Sequence, residues 1–217
     1  MKQWKLVGLV PAILAAAVLL AGCGAKTTPV DPMSTQAGIG LQMGMRDLWD
    51  AHVTWTRMYI VSAVAKLPDA STAAARLMQN QEDIGNAIKP YYGDDAGMQL
   101  TTLLKNHIST AGAVVAAAMG KDTAKLAAAQ VQWTANADSL ADFLATANPN
   151  WPKQTLADML HEHLRLTTNE AVARIKMDWA GDVKAFDAIH QQAMMMADAL
   201  SSGIIKQFPD KFKPAQM

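Results

Sequence analysis

Of the side chains in this chain that could do chemistry, five histidines stand out: His52, His107, His161, His163 and His190. Neutral imidazole is a common ligand for transition metals and the only side chain that titrates near neutrality without help. Four of the five, His52, His107, His163 and His190, fall on apolar stripes of helical spacing, each in a different segment. His161 lies about 200° around the helix from His163, beside Asp158, Arg165 and Thr168, so it faces solvent. The "HEH" at 161–163 is therefore not a two-ligand motif, which on a helix needs spacing of three or four. Asp83, with Asn80 and Asn136, falls at a similar depth to the four stripe histidines. Metal binding through His52, His107, His163, His190 and Asp83 is the sharpest reading. A copper, zinc or iron ion would suit such a set. Trp49 and Trp55 flank His52 and, with Asn80 and Asn136, are candidates to line a ligand cavity. The alternative is that these histidines are neutral core residues hydrogen-bonded to the nearby amides, since buried polar groups must be satisfied.

The remaining chemistry is thin. No E-x-x-H pattern supports a di-iron site. "MMM" at 194–196 does not make a copper box, because consecutive helical residues point 100° apart, and methionine fills irregular cores well. No glycine-rich phosphate loop follows a strand. No catalytic motif names a reaction, so the chain leans away from being an enzyme.

The elements that would position these residues are helices. From Leu41 onward the apolar period is 3.6, alanine is abundant and no strand-like alternation persists. Proline, glycine and "NPNWP" divide the chain into segments at about 43–66, 70–89, 94–119, 122–147, 153–179 and 181–207, with Gly181 a possible break between the last two. Asp69, Asp94 and Asp122 suit N-caps or first turns. Each segment has an apolar stripe, and short connections imply antiparallel neighbours. The expected fold is all-α, an up-and-down antiparallel bundle of five to six long helices over residues 42–212. No internal repeat is convincing.

The ends set the compartment. Residues 1–22 read as a signal peptide: Lys2 and Lys5, then an uncharged run of about 16 residues, shorter than the roughly 20 needed to cross a bilayer. Leu20-Ala21-Gly22-Cys23 resembles the lipobox of bacterial lipoproteins, which implies cleavage before Cys23 and lipidation of it. Cys23 is the single cysteine, so no internal disulfide is available. Residues 23–41, rich in Gly, Pro, Ser and Thr, read as a tether from that anchor. The expected place is the cell envelope, facing the periplasm or exterior, at the outer membrane if the source is Gram-negative. Removing Lys2 and Lys5 from 19 basic residues leaves 17 against 19 acidic ones, a net charge near −2. Without a basic block, nucleic acid is not an expected partner; the membrane is, through Cys23, and no protein partner can be named.

In order along the chain, "LWDAHVTWTRMYI", "NQEDIGNAIKPYYG", "LLKNHI", "ANPNWP", "HEHLRLTT" and "GIIKQFPDKF" resemble the motifs of a family of uncharacterised bacterial helical-bundle proteins. The resemblance spans about residues 43–212. It implies that Trp49, His52, Trp55, Arg57, Asn80, Asp83, Asn86, His107, His163 and His190 belong to the family pattern and that His161 does not. It carries no biochemical role.

Overall fold

A computed structural model describes residues 30–214. Six α-helices make up nearly all of it: α1 (Gln36–Val64), α2 (Ala70–Tyr92), α3 (Asp94–Met119), α4 (Thr123–Ala147), α5 (Lys153–Ile175) and α6 (Trp179–Gln207). Short 3₁₀ turns at Pro32–Ser34 and Pro209–Phe212 flank them. No strand forms among the described residues. Each helix packs on the next, and α6 packs back on α1, so the six close into a ring. No helix among the described residues is long and apolar enough to cross a membrane.

The boundaries differ from the sequence reading in three places, each with a local cause. α1 begins at Gln36, inside the stretch read as tether, because Thr35 caps it by accepting from Gly38 N at 3.1 Å. Gln42 Nε2 then donates back to Met33 O at 2.9 Å, and Met33 and Leu41 pack on the core. α2 runs through Pro90 to Tyr92 and ends at Gly93, whose φ of 85° suits a residue without Cβ. α5 stops at Ile175 rather than near Gly181, which sits in the first turn of α6 with its N–H donating to Asp178 Oδ1.

The ring is a threefold repeat of one helical hairpin, which the sequence reading missed. The hairpins α1–α2, α3–α4 and α5–α6 turn over through the same backbone device. Lys66, Lys121 and Met177 adopt left-handed φ values of 55°, 55° and 60°. In each case the next residue's N–H (Leu67, Asp122, Asp178) reaches back to Ser62 O, Ala117 O or Ala173 O, closing the helix end as a Schellman motif does. Asp122 and Asp178 then cap the following helices through their side chains, whereas Asp69 makes no such bond.

Core layers follow the same repeat. Met45, Leu100 and Leu156 occupy equivalent positions on α1, α3 and α5; so do Trp49, Leu104 and Leu160, and all six are buried. Further along the same helices, Ile60, Val115 and Ala171 form a small cluster of their own. On the returning helices the equivalent buried sets are Leu77, Trp133 and Ile189, then Ile84, Leu140 and Met196, then Ile88, Leu144 and Leu200. A repeat made only of apolar positions and turn residues leaves little identity in the sequence, because any apolar side chain of suitable volume satisfies each position.

The end opposite the three hairpin turns is closed by aromatics. Tyr91 stacks on Phe212 with centroids 5.8 Å apart, and Tyr92 meets Phe208 edge-on at 5.3 Å. Tyr92 Oη donates to Gln207 Oε1 at 2.8 Å and accepts from Asn148 Nδ2 at 2.9 Å. Gly203 lets Trp151 lie on α6; a Cβ there would fall 1.9 Å from the indole Nε1. The motifs "KPYYG", "ANPNWP" and "GIIKQFPDKF" thus meet in one structural cap, at the end where the chain leading from Cys23 joins.

Candidate functional site: a layer of three imidazoles

His52, His107 and His163 are equivalent positions of the three hairpins, on α1, α3 and α5, and all three are buried. The helices α1, α3 and α5 run in the same direction, so equal register brings the rings to one depth. The His52 and His163 rings have centroids 5.7 Å apart, and those of His107 and His163 lie 6.4 Å apart. Trp49 lies against His52 at 5.4 Å and Trp133 against His107 at 5.5 Å. Apolar cavities of about 40 Å³ and 30 Å³ lie to either side of the layer, the first lined by Trp49, Leu104 and Leu160, the second by Leu77, Ile108 and Trp133.

Each imidazole is held by an amide from the returning helix of its own hairpin. The amide in turn is fixed by a bond to the backbone carbonyl four residues before the histidine. Asn80 Nδ2 donates to Leu48 O at 3.0 Å, Asn136 Nδ2 to Leu103 O at 3.0 Å, and Gln192 Nε2 to Met159 O at 2.9 Å. With its nitrogen engaged, the amide oxygen must face the ring. Asn136 Oδ1 lies 2.8 Å from His107 Nδ1, and Gln192 Oε1 lies 3.0 Å from His163 Nδ1. An amide oxygen only accepts, so both rings donate through Nδ1–H.

At His107 the assignment is overdetermined. The indole Nε1–H of Trp133 donates to His107 Nε2 at 3.2 Å. An indole can only donate, so Nε2 carries a lone pair and Nδ1 the proton. His163 has the same tautomer, and its Nε2 makes no hydrogen bond among the described residues.

The first hairpin departs from this pattern. It is one residue shorter between the turn and the amide, and a second amide, Gln81, stands beside Asn80, where the other hairpins carry Ala137 and Ala193. Gln81 Nε2 donates to Leu77 O at 2.8 Å and to Asn80 Oδ1 at 3.2 Å, and lies 3.3 Å from His52 Nδ1. Both hydrogens of the Gln81 amide nitrogen are thus committed to oxygens, and His52 Nδ1 lies beside that nitrogen. Gln81 Oε1 and Trp49 Nε1 are buried without a partner. An unpaired buried group costs about 1–3 kcal/mol.

All three rings are neutral. Burial pushes the pKa of His52 well down, and the neighbouring His163 and His107 push the same way. Burial, then His163, takes His107 down to about 4; burial alone lowers His163. Three close imidazoles in an apolar core cannot all charge.

Two expected members are elsewhere. His190 is exposed on α6, and its Nε2 lies 2.8 Å from Asp50 Oδ1 on the surface. The buried face of α6 runs through Ile189, Ala193, Met196 and Leu200, and His190 is 100° away from Ile189. Asp83 is at the surface, facing Arg76 at 3.4 Å; Ile84, one residue on, takes the core. Trp55 is half-buried outside the layer, under the Arg76 guanidinium at 5.6 Å. Trp49 and Asn80 are buried at the layer, and Asn136 is half-buried there. Among the described residues no group of three His, Cys, Asp or Glu side chains is disposed to hold a metal ion as it stands. Cys23 lies outside the described residues.

The sequence reading also missed residues. Gln81, Gln192 and Trp133 complete the layer; Gln192 could have been found from the 29-residue spacing that His107–Asn136 and His163–Gln192 share. A second buried polar group stands two turns along α5. Arg57 Nη1 donates to Glu170 Oε1 at 2.7 Å, and both its Nη atoms reach Asp182, at 2.9 and 3.0 Å. Arg174 adds a 3.3 Å contact to Asp182. Phe186 lies under Arg57 and Trp179 under Arg174, both at 4.8 Å. Burial raises the Glu170 carboxyl to about 7 despite the opposing pull of Arg57. The signal was a glutamate seven residues after His163, hence on the core side, with Arg57 unmatched. No family model, no curated protein and no solved structure matches the chain.

Proposed function

We propose that the protein is a lipid-anchored, extracytoplasmic helical bundle that binds a transition-metal ion through His52, His107 and His163. Membership of the bacterial helical-bundle family suggested by its motifs belongs to the same proposal, as does lipidation of Cys23 at the cell envelope. One observation carries the metal reading: the amide support of the rings. Metal-bound histidines characteristically donate their other ring N–H to a fixed acceptor, which sets tautomer and orientation. His107 and His163 already donate Nδ1–H to Asn136 and Gln192. The third arm differs: the Gln81 amide nitrogen, held by Leu77 O and Asn80 Oδ1, stands 3.3 Å from His52 Nδ1. With a metal–nitrogen distance of about 2.1 Å, ligating rings hold their centroids about 5–5.5 Å apart. The His52–His163 and His107–His163 pairs, at 5.7 and 6.4 Å, are wider than that. Copper, zinc and iron all suit imidazole.

A second reading is favoured by a different observation. His107 already uses both ring nitrogens, on Trp133 and Asn136. On this reading the bundle is a non-catalytic structural or interaction module of the envelope, and the layer fixes helix register. Protein purified without a nickel column separates the two. Elemental analysis and titration with copper, zinc and iron should give one metal per chain, lost in His163→Ala. Metal-free protein that ignores all three ions sinks the first reading and leaves the second.

A further inference from the structure

The larger of the two internal cavities has one polar group in its wall that nothing satisfies. This cavity, of about 40 Å³, lies between the imidazole layer and the aromatic cap, with Leu104 and Leu160 lining it at the layer and Trp151 at the cap. Apart from Trp49 and Trp151, every side chain that lines it is Leu, Ile or Met. The two indoles differ. Trp151 Nε1–H donates to Ala199 O at 3.2 Å. Trp49 is 5% exposed, and its Nε1–H is buried with no partner. The threefold repeat shows that the core does not need an indole here. Leu104 and Leu160 fill the equivalent positions, buried and with no polar atom in the side chain. The first hairpin therefore contributes a stranded donor to the wall of a void. Both features oppose folding: a void forfeits contacts, and a buried donor without a partner has lost its water.

Size and chemistry together narrow the occupant. A water needs only about 10–15 Å³ of such space, but it also needs two to four polar partners, and the side chains of this wall offer one. A benzene ring needs a cavity of about 150 Å³. An uncharged molecule of two heavy atoms falls between these limits. Met45, Met159 and Met196 give the wall polarizable sulfur, which adds dispersion attraction for such a guest. We propose that this cavity is a binding site for an uncharged diatomic gas of the dioxygen and nitric oxide class, packed by leucines and thioethers, with a lone-pair end on Trp49 Nε1–H. One guest fills the void and meets the stranded donor. No bond is made or broken, and no charge enters the core. The site uses no imidazole nitrogen, so it stands apart from the metal-binding reading and does not depend on it.

The test uses the full chain, free of metal, with xenon, dioxygen and nitric oxide as separate probes. Each gas is titrated under pressure, and the methyl NMR signals of Leu100, Leu104 and Leu160 are followed in wild type and Trp49→Phe, with Leu100 and Leu160 as reporters in Leu104→Phe. Xenon has no need of a donor and reports the void alone. In wild type all three gases should shift or broaden these methyls saturably and leave the exposed Val131 unchanged. Trp49→Phe keeps an aromatic ring and removes the N–H. It should bind xenon no more weakly than wild type and the two diatomic gases about threefold more weakly, the ratio that one modest hydrogen bond supplies. Leu104→Phe fills the cavity and should abolish the saturable response to all three. Xenon that enters while neither diatomic gas does makes the cavity a packing void and overturns the site. Diatomic binding that neither substitution alters overturns it as well. Should Leu104→Phe fail to fold, as its helical circular dichroism would show, the ratio of xenon to dioxygen affinity in Trp49→Phe decides alone.

Discussion

The imidazole layer and the Arg57–Glu170–Asp182–Arg174 cluster are buried in the same bundle, about 10 Å apart along α5 at 1.5 Å per residue. The layer occurs three times around the axis, carries no charge and is supported by amides. The cluster occurs once, is ionic, and ties α1 to the α5–α6 hairpin. The contrast teaches how a threefold core handles polarity. A group repeated on three helices meets its own copies, and three like charges at 6 Å would repel, so the repeated group must be one that can be neutral. A charged group can be buried only where symmetry is broken and an opposite charge stands nearby. Arg57 has no arginine counterpart in the other hairpins, where Gly112 and Thr168 take its place.

The largest expected effect breaks the ionic side of the comparison. Asp182→Ala removes the carboxylate that two guanidiniums share. Arg57 and Arg174 side chains are only 22% and 21% exposed, so they are left underpaired. Denaturant unfolding should show a loss of about 3 kcal/mol, at the low end for a broken buried pair because both arginines keep some water. A loss below about 1 kcal/mol would mean the cluster is no more than a surface pair.

The pH dependence sharpens the same contrast, because the two regions have opposite signs. A histidine whose pKa is depressed on folding stabilises fully above its ordinary value of 6.5, and that stabilisation is lost as pH falls toward the folded value. For His107 the gap from 6.5 to about 4 corresponds to about 3 kcal/mol. Glu170, raised from 4.5 to about 7, stabilises fully below 4.5 and loses that contribution as pH rises through 7. Three imidazoles outweigh one carboxyl, so stability should fall on acidification from pH 6.5 to 4. His107→Gln should flatten that acid limb. Glu170→Gln, which keeps an oxygen for Arg57, should flatten the opposite slope between pH 4.5 and 7. Unfolding curves at several pH values read both; an acid limb unchanged in His107→Gln would remove His107 from the account.

How much of this was legible in the sequence can be argued residue by residue. Six helices and three of the four histidines expected in the core follow from period 3.6 and from breakers at Pro68, Gly93, Gly120 and "NPNWP", signals that are local. His190 was misplaced because α6 is apolar around much of its circumference: Ala188, Ile189, Ala193 and the three methionines leave the centre of the buried face undetermined, and a 100° error exchanges core for surface. Asp83 failed similarly, displaced by its neighbour Ile84. The repeat was hidden because only His52, His107 and His163, at intervals of 55 and 56 residues, and the amides Asn80, Asn136 and Gln192 keep a chemical type. Glu170 could be placed on the core side from its spacing to His163, but its pairing with Arg57, and that of Asp182, could not: Arg57 is more than a hundred residues away from both, and pairing of that kind is set by the closure of the ring.

A smaller effect isolates the layer's amide support. Gln192→Leu leaves His163 Nδ1–H and Met159 O without their partner and should cost about 2 kcal/mol, the penalty of stranding buried polar groups. The double variant His163→Leu with Gln192→Leu removes ring and amide together and should recover most of that loss, since only the backbone carbonyl stays unpaired. If the double variant is as unstable as the single one, the layer's contribution is packing and not hydrogen bonding.

The smallest expected effect concerns the histidine that does not join the layer. His190 and Asp50 form a pair at the surface, with side chains 42% and 53% exposed. Water screens such a pair and competes for both partners, and holding two mobile side chains costs entropy, so exposed pairs contribute little. His190→Ala should therefore change stability by less than about 0.5 kcal/mol and alter no metal titration. The same substitution at His163 should change both. The two positions belong to one chain and one residue type, and they differ only in whether α6 or α5 turns them inward. A large effect at His190 would mean that the surface pair, and not the threefold layer, is where this bundle keeps its functional imidazole.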